Sequence, residues 1–337
     1  KYTTSWIIVS KSIHTLYLIL FFYCPIWAQV EQFAITKKVV IRELDLVNDS
    51  NYYYTRVLVA GDILQEQVHL NTAFNPDSNR YYYKNWFKQI RPVLFIGDIV
   101  IGNLETTFSG RDYAGYGSYS APDEFLHALK KSGFNVLLTA NDKAADREGG
   151  GIARTISMLD KAKIRHTGTF RSKEEREKNC PLILNVKNIK VAILNYTSQV
   201  KRQMASDELY NKLSLSLIKR DILKAKEQGA DFIITYMHWG NEYDKKVLEY
   251  QKGIAKTCFE YGADAVFGSH PHYFHEVEIR RYLKDDKIHK GVVCYSLGNF
   301  LADVEKPGIN GSAIIELILR KNKKTGETVL EDYGYIP

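Results

Sequence analysis

Cysteine is nearly missing from this chain, with four residues in 337. Cys24 lies in an apolar N-terminal stretch, and Cys180, Cys258 and Cys294 stand in apolar surroundings without metal-ligand spacing. A disulfide framework is thereby excluded, no thiol nucleophile is expected, and buried free thiols are. Long basic blocks are also missing, although Lys and Arg outnumber Asp and Glu by 46 to 39 and leave a formal charge of +7. A scattered excess of that size excludes a nucleic-acid footprint and fits a preference for anionic ligands or an anionic cell surface. There is no Pro/Gly/Ser linker, no repeat and no low-complexity segment, so one catalytic-sized domain is the simplest organisation.

Apolar runs of membrane-spanning length are absent as well. The longest candidate, residues 13–28, follows the basic Lys1 and Lys11 and has the apolar centre Leu16-Tyr17-Leu18-Ile19-Leu20-Phe21-Phe22-Tyr23 and a small residue, Ala28, before Gln29. That pattern predicts a secretory signal peptide over 1–28, with a retained anchor as the alternative, and an extracytoplasmic protein at the periplasm or cell surface. Residues 29–54 then form a polar and aromatic lead-in, and 55–337 the domain. The 23 tyrosines cluster at 52–54 and 81–83, which fits either a carbohydrate-facing surface or ordinary edge packing.

What the chain does have is alternation. Short β-branched runs at 57–60, 93–96, 136–139, 191–194 and 232–235 read as buried strands, and 122–132, 151–163, 214–228 and 246–261 show helical spacing. The alternation implies βαβ units and an α/β fold. Beyond residue 264 come strands at 274–281, 291–295, 312–319 and 328–333, which adds either a mixed sheet or a second sheet packed on the first. The segment 171–179 reads as a charged surface connection.

Ligands in α/β folds gather at strand carboxyl ends, so the residues after each run matter most. They are Gly61-Asp62, Asn103-Leu104-Glu105, Ala140-Asn141-Asp142-Lys143 with Asp146, His238-Trp239-Gly240 with Glu242-Tyr243, Gly268-Ser269-His270-Pro271-His272, and Ser296-Leu297-Gly298-Asn299-Phe300. Taken singly, each is an ordinary turn, and His270 and His272 alone are as readily two polar loop residues as a pair of ligands. Six ends bearing carboxylate, amide or imidazole suit a divalent metal that activates water or clamps an oxyanion.

In order and spacing these motifs, over about residues 55–303, resemble the CapA/PgsA-type capsule-synthesis family, linked to poly-γ-glutamate export and anchoring and similar to the calcineurin-like metallophosphoesterases. The resemblance implies a four-layer α/β/β/α sandwich. It implies a metal site of Asp62, Glu105, Asp142, His238, His270 and His272 that holds Mn, Fe, Zn or Mg, with Asn103 and Asn299 beside it. Asn103, His238 and Lys143 would serve catalysis, and Asn141, Asp146, Trp239, Glu242 and Asn299 would meet substrate.

The chain departs from the resemblance twice. Where the wider superfamily has Asp-x-His, Asp62 is followed by Ile63-Leu64, which removes one imidazole from a two-metal centre. Where the family has Ala-Asn-Asn-His, this chain has Asp142 and Lys143. An ammonium holds its proton near neutral pH unless its pKa is strongly depressed, but it can serve as a fixed positive charge. Two functions follow as expectations. One is a metal-dependent hydrolase or transferase acting on a phosphoester, acyl or γ-glutamyl bond of an anionic cell-surface polymer. The other is a non-catalytic polymer-binding accessory of capsule export, working beside membrane proteins.

Overall fold

The computed structural model describes residues 49–201, 207–284, 287–303, 306, 308–309 and 311–337. The expected signal peptide, Cys24 and the lead-in as far as residue 48 lie outside the described residues. The chain runs β1 (Tyr52–Ile63), α1 (Gln67–Ala73), a ribbon of β2 (Phe74–Asn75) and β3 (Arg80–Tyr81), α2 (Arg91–Leu94), β4 (Ile99–Leu104), α3 (Asp123–Ser132), β5 (Val136–Leu138), α4 (Glu148–Ala162), β6 (Arg165–Thr167) and α5 (Lys173–Asn179). It continues through β7 (Leu182–Val186), β8 (Ile189–Thr197), α6 (Leu215–Glu227), β9 (Phe232–His238), α7 (Glu249–Tyr261), β10 (Ala265–Ser269), β11 (Val277–Lys284), β12 (Lys287–Cys294), β13 (Asn299–Leu301), β14 (Ile314–Asn322) and β15 (Thr328–Ile336).

Two large sheets result. The first has the order β15-β14-β1-β4-β5-β6 with β13 paired to β1, and the second the order β11-β12-β10-β9-β8-β7. Strands β1, β4, β5 and β6 run parallel, as do β8, β9, β10 and β12. The late strands thus belong to both sheets, with β11 and β12 closing the second and β13, β14 and β15 the first.

Alternating side chains explain the layering. Val57 and Val59 of β1, Ile99 and Ile101 of β4, Val191 and Ile193 of β8, and Phe232 and Ile234 of β9 meet between the sheets. Their neighbours Leu58, Ala60 and Val100 point the other way, into a layer with Phe125, Leu126 and Leu129 of α3 and Leu159 of α4. On the far side, Ala192, Leu194, Ile233 and Met237 pack against Ile218 and Ile222 of α6 and Cys258 of α7. The fold is therefore an α/β/β/α sandwich. Its central strands read as continuous apolar runs because both faces are covered. Cys180, Cys258 and Cys294 are buried free thiols within it.

Three expectations need correction. Residues 93–96 are not a strand: Arg91–Leu94 is a short helix with a proline in its first turn, and the strand is the next apolar run, Ile99–Leu104. Pro92 pre-sets a helical φ and Gly97 ends the segment, so the β-branched Val93 is overruled by its neighbours. Residues 171–179 are more than a connection, since Lys173–Asn179 is helical. Ser172 Oγ accepts the Glu175 N–H, acids occupy the first turn and Arg176 and Lys178 the last, an order that complements the helix dipole. Finally, β1 starts at Tyr52 rather than at residue 57 and pairs with β14 from Tyr52 onward. Among the described residues no helix is long and apolar enough to cross a membrane.

Candidate metal centre

Following the inward rows upward, Ile99 and Ile101 of β4 lead to Asn103, while Ile234 and Tyr236 of β9 lead to His238. At the strands' carboxyl ends the apolar layer between the sheets thus gives way to an amide and an imidazole, with Asn103 Nδ2 and His238 Nδ1 3.4 Å apart. Register brings the rest alongside. Asp62 pairs with Asn103 on one side and Asn299 on the other, and Ser269 and Thr197 flank His238. The register shifts on either side of Asp62, a bulge that re-aims its carboxylate. Gly61 permits the close approach: a Cβ there would fall 1.9 Å from the Gly298 oxygen, to which Asp62 N–H donates at 3.0 Å.

The Gly-Ser-His-Pro-His turn leaves β10 with His270 at φ 95 and His272 at φ 62. Side chains rarely adopt these values, which cost about 1–3 kcal/mol each and concentrate at functional sites. The loop after β5 is fixed by Asn195, whose side chain accepts the Ala140 N–H at 2.7 Å and donates to the Ala140 oxygen at 3.3 Å. Asn141 then donates to Leu104 O at 2.7 Å and accepts the Lys143 N–H at 3.1 Å, which turns Asp142 and Lys143 into the site.

Asp142 is the hub. Its Oδ1 lies 3.2 Å from His238 Nε2, and its Oδ2 takes the Lys143 ammonium at 2.7 Å and that of Lys201 at 3.3 Å. Burial raises a carboxyl, but the hydrogen bond and charge of His238, with the charges of Lys143 and His270, prevail and hold Asp142 well below the ordinary range. Lys143 shows the converse: burial opposes its charge, but Asp142 and Glu105 lift it above the usual lysine value. The depressed pKa that proton donation requires is therefore not present. Glu105 is raised well above its ordinary value by burial and by the charges of Asp62 and Asp142. His270 is lowered to about 3 by burial and by His238.

Asp62 and His272 form a buried pair at 3.3 Å, with His272 Nδ1 also 2.8 Å from Asn299 Oδ1. Burial opposes both charges, and their mutual attraction wins: Asp62 falls from 3.8 to about 2 and His272 rises above 6.5. The raised histidine adds stability below pH 6.5 that is lost as pH climbs through its folded value. The lowered aspartate adds stability above pH 3.8 that is lost as pH falls toward 2. Both contributions are complete between those limits. In chelator, His272→Gln is expected to destabilise most near about pH 5 and to differ less from wild type near about pH 9, as urea unfolding at the two values would show. A difference that grows with pH would contradict the pairing.

The six expected ligands do not form one shell. Asp142, His238 and His270 make an outer group, and Asp62, Glu105 and His238 an inner one, each with ligand atoms within 4.8 Å of one another. A neutral imidazole offers one lone pair, so His238 serves only one of them. The inner group is already supplied with positive hydrogens. Asn103 Nδ2 lies 2.8 Å from Asp62 Oδ1, 3.0 Å from Glu105 Oε1 and 3.2 Å from Ser269 Oγ. The outer group suits a nitrogen-preferring ion better, because it sets two imidazoles beside one carboxylate, and its buried His270 Nδ1 has no hydrogen-bond partner. Glu105 Oε2 and Asn299 Nδ2 are likewise unpartnered.

Three residues expected to meet substrate face elsewhere. Trp239 is 0% exposed in the helix-side core, its indole N–H bound to Tyr295 O. Asp146 Oδ2 accepts the Tyr119 N–H at 2.7 Å, and Asn141 donates to Leu104 O at 2.7 Å and to Asn103 Oδ1 at 3.3 Å, bracing the site amide. Glu242 and Asn299 do lie at the site, against the lysines and His272 respectively. Sequence reasoning missed Gln199, whose amide sits 3.0 Å from His270 Nε2, as well as Lys201 and Ser269. The signal for the first two is in the sequence: they stand just beyond the carboxyl end of β8, where ligands gather.

A family model described as bacterial capsule synthesis protein PGA_cap matches residues 56–304. The chain is 31% identical over 256 residues to the capsule biosynthesis protein CapA of Bacillus anthracis, covering 72% of this chain and 60% of that protein. It is 25% identical over 251 residues to the PGA biosynthesis protein CapA of Bacillus subtilis (strain 168), covering 70% and 61%. The chain thus spans about 60% of the length of these curated relatives. Among solved structures, the calcineurin-like phosphoesterase YfkN from Bacillus subtilis aligns at a TM-score of 0.45 and 12% identity, over 85% of this chain and 90% of that one.

Proposed function

The chain belongs to the bacterial capsule synthesis family PGA_cap, and from that premise we propose that it is an extracytoplasmic, metal-dependent hydrolase or transferase of capsule biosynthesis. Its substrate is an anionic polymer such as poly-γ-glutamate, or a phosphorylated or γ-glutamyl precursor, and its partners are capsule-export membrane proteins. The observation that carries this reading is the buried Asp142, His238 and His270 group with its unpartnered His270 nitrogen. One carboxylate with two imidazoles suits Zn, Fe or Mn better than Mg, which prefers oxygen donors.

A divalent ion held there supplies a Lewis acid for the scissile group. The chain's own residues do the rest. Ser269 Oγ, 2.9 Å from His238 Nδ1, orients that imidazole. Asn195 fixes the loop that carries Asp142. Lys143 is a fixed positive charge facing the site and stabilises developing negative charge without surrendering its proton.

That same fixed charge favours a second reading, in which the site binds the polymer without turning it over. A panel of phosphomonoester, phosphodiester and γ-glutamyl substrates, offered to the full chain with Zn, Mn or Fe, separates the two. Turnover abolished by chelation and by His270→Ala supports the enzyme. Absence of turnover across the metal-loaded panel, with polymer still bound, supports the accessory role.

A further inference from the structure

We propose that Lys143 and Lys201 together form an anion-binding subsite beside the Asp142, His238 and His270 group, and that Glu242 fills it as a built-in counter-ion until a substrate oxyanion displaces it. The inference rests on the reading of this cleft as a polyanion site and names what part of the substrate it grips: a carboxylate or phosphate terminus. Lys201 Nζ lies 2.6 Å and Lys143 Nζ 3.8 Å from one and the same oxygen, Glu242 Oε1. A single anionic oxygen bracketed by two ammoniums is the arrangement a bound oxyanion would adopt.

The two lysines are held very differently. Lys143 is 5% exposed, locked on Asp142, with its ammonium 5.3 Å from the Tyr119 ring centre. Lys201 is 48% exposed at its side chain, and Glu242 is 31% exposed. Half-exposed pairs contribute little to stability, about 0–1 kcal/mol, so folding does not require Lys201 to stand there. Main-chain bonds nevertheless place it: Ser198 N–H donates to His238 O and Lys201 N–H to Asp142 O, both at 2.9 Å. The segment is thus pinned to two of the three candidate ligands.

Without an ion, two ammoniums are balanced by Asp142 and Glu242. A free anion with two charged oxygens can engage both ammoniums at once, whereas Glu242 offers them a single oxygen, and it competes for the lysines with or without an ion on Asp142. Glu242 lies beyond β9 with its side chain 31% exposed, its Oε1 shared between both ammoniums.

The test uses the metal-free chain, with inorganic phosphate and glutarate as separate probes titrated by calorimetry at fixed low salt. Wild type is expected to bind, Lys201→Ala to bind at least about tenfold more weakly, and Lys201→Arg to keep most of the affinity. Glu242→Gln is expected to bind more tightly, because the competing carboxylate is gone. Loss of both probes in Lys201→Ala supports the subsite, and the stronger of the two probes tells whether phosphoryl or carboxylate is the natural grip. No binding by wild type, unchanged affinity in Lys201→Ala, or weaker binding in Glu242→Gln would overturn it. Because no metal is present, failure of the metal-dependent reading leaves this result standing, and the reverse is equally true.

Discussion

Asp142→Ala is expected to abolish divalent-ion binding and to lower stability by about 3–5 kcal/mol, the usual loss when one partner of a buried ion pair is removed. The size follows from what Lys143 would be left with. Its ammonium is 5% exposed and has Asp142 at 2.7 Å, Glu242 at 3.8 Å and the Tyr119 ring as its neighbours. Asp142, by contrast, keeps His238 and Lys201 when Lys143 is replaced. Lys143→Met should therefore cost less than Asp142→Ala. The double variant Asp142→Ala/Lys143→Met should recover much of the stability, because no uncompensated buried charge remains, while ion binding stays lost. Urea unfolding of the three variants in chelator reads the first effect and metal analysis the second. Additive losses in the double variant would show that the pair is not the source of the cost.

Much of this site was legible because its residues sit where apolar rows end. Val57, Val136 and Phe232 announce strands buried on both faces, and the polar residues gathered at strand ends include Asp62, Asn103, Glu105, Asp142 and His238, which the family resemblance then singles out. What escaped did so for physical reasons. The run at 93–96 looks like a strand one residue at a time, and only Pro92 and Gly97 on either side betray the helix. The charges of 173–179 looked like a solvated connection, although their order along the chain is that of a capped helix.

Within the site, residue type told which groups are polar but not which way they point. Trp239 follows His238 in sequence, but strand alternation sends it to the opposite face, into the helix-side core. Asn141 precedes Asp142 but reaches across to Leu104 O and Asn103 Oδ1. Nor could spacing reveal that the expected ligands divide into two groups sharing His238, or that the Asn103 amide serves the inner one. Those facts depend on how the first sheet faces the second, and on the bulge at Asp62.

We propose that this cleft holds one divalent ion, on Asp142, His238 and His270. His270 is the sharpest probe of it. Burial and the neighbouring His238 keep its imidazole neutral down to about pH 3, so its lone pair is available throughout the working range. Its Nδ1 has no hydrogen-bond partner. Equilibrium dialysis of the wild-type chain against Zn or Mn, followed by metal analysis, should give one ion per chain. His270→Ala, with its circular dichroism unchanged, should bind at least about 100-fold more weakly. Two ions per wild-type chain, none at all, or undiminished retention by His270→Ala would contradict the account.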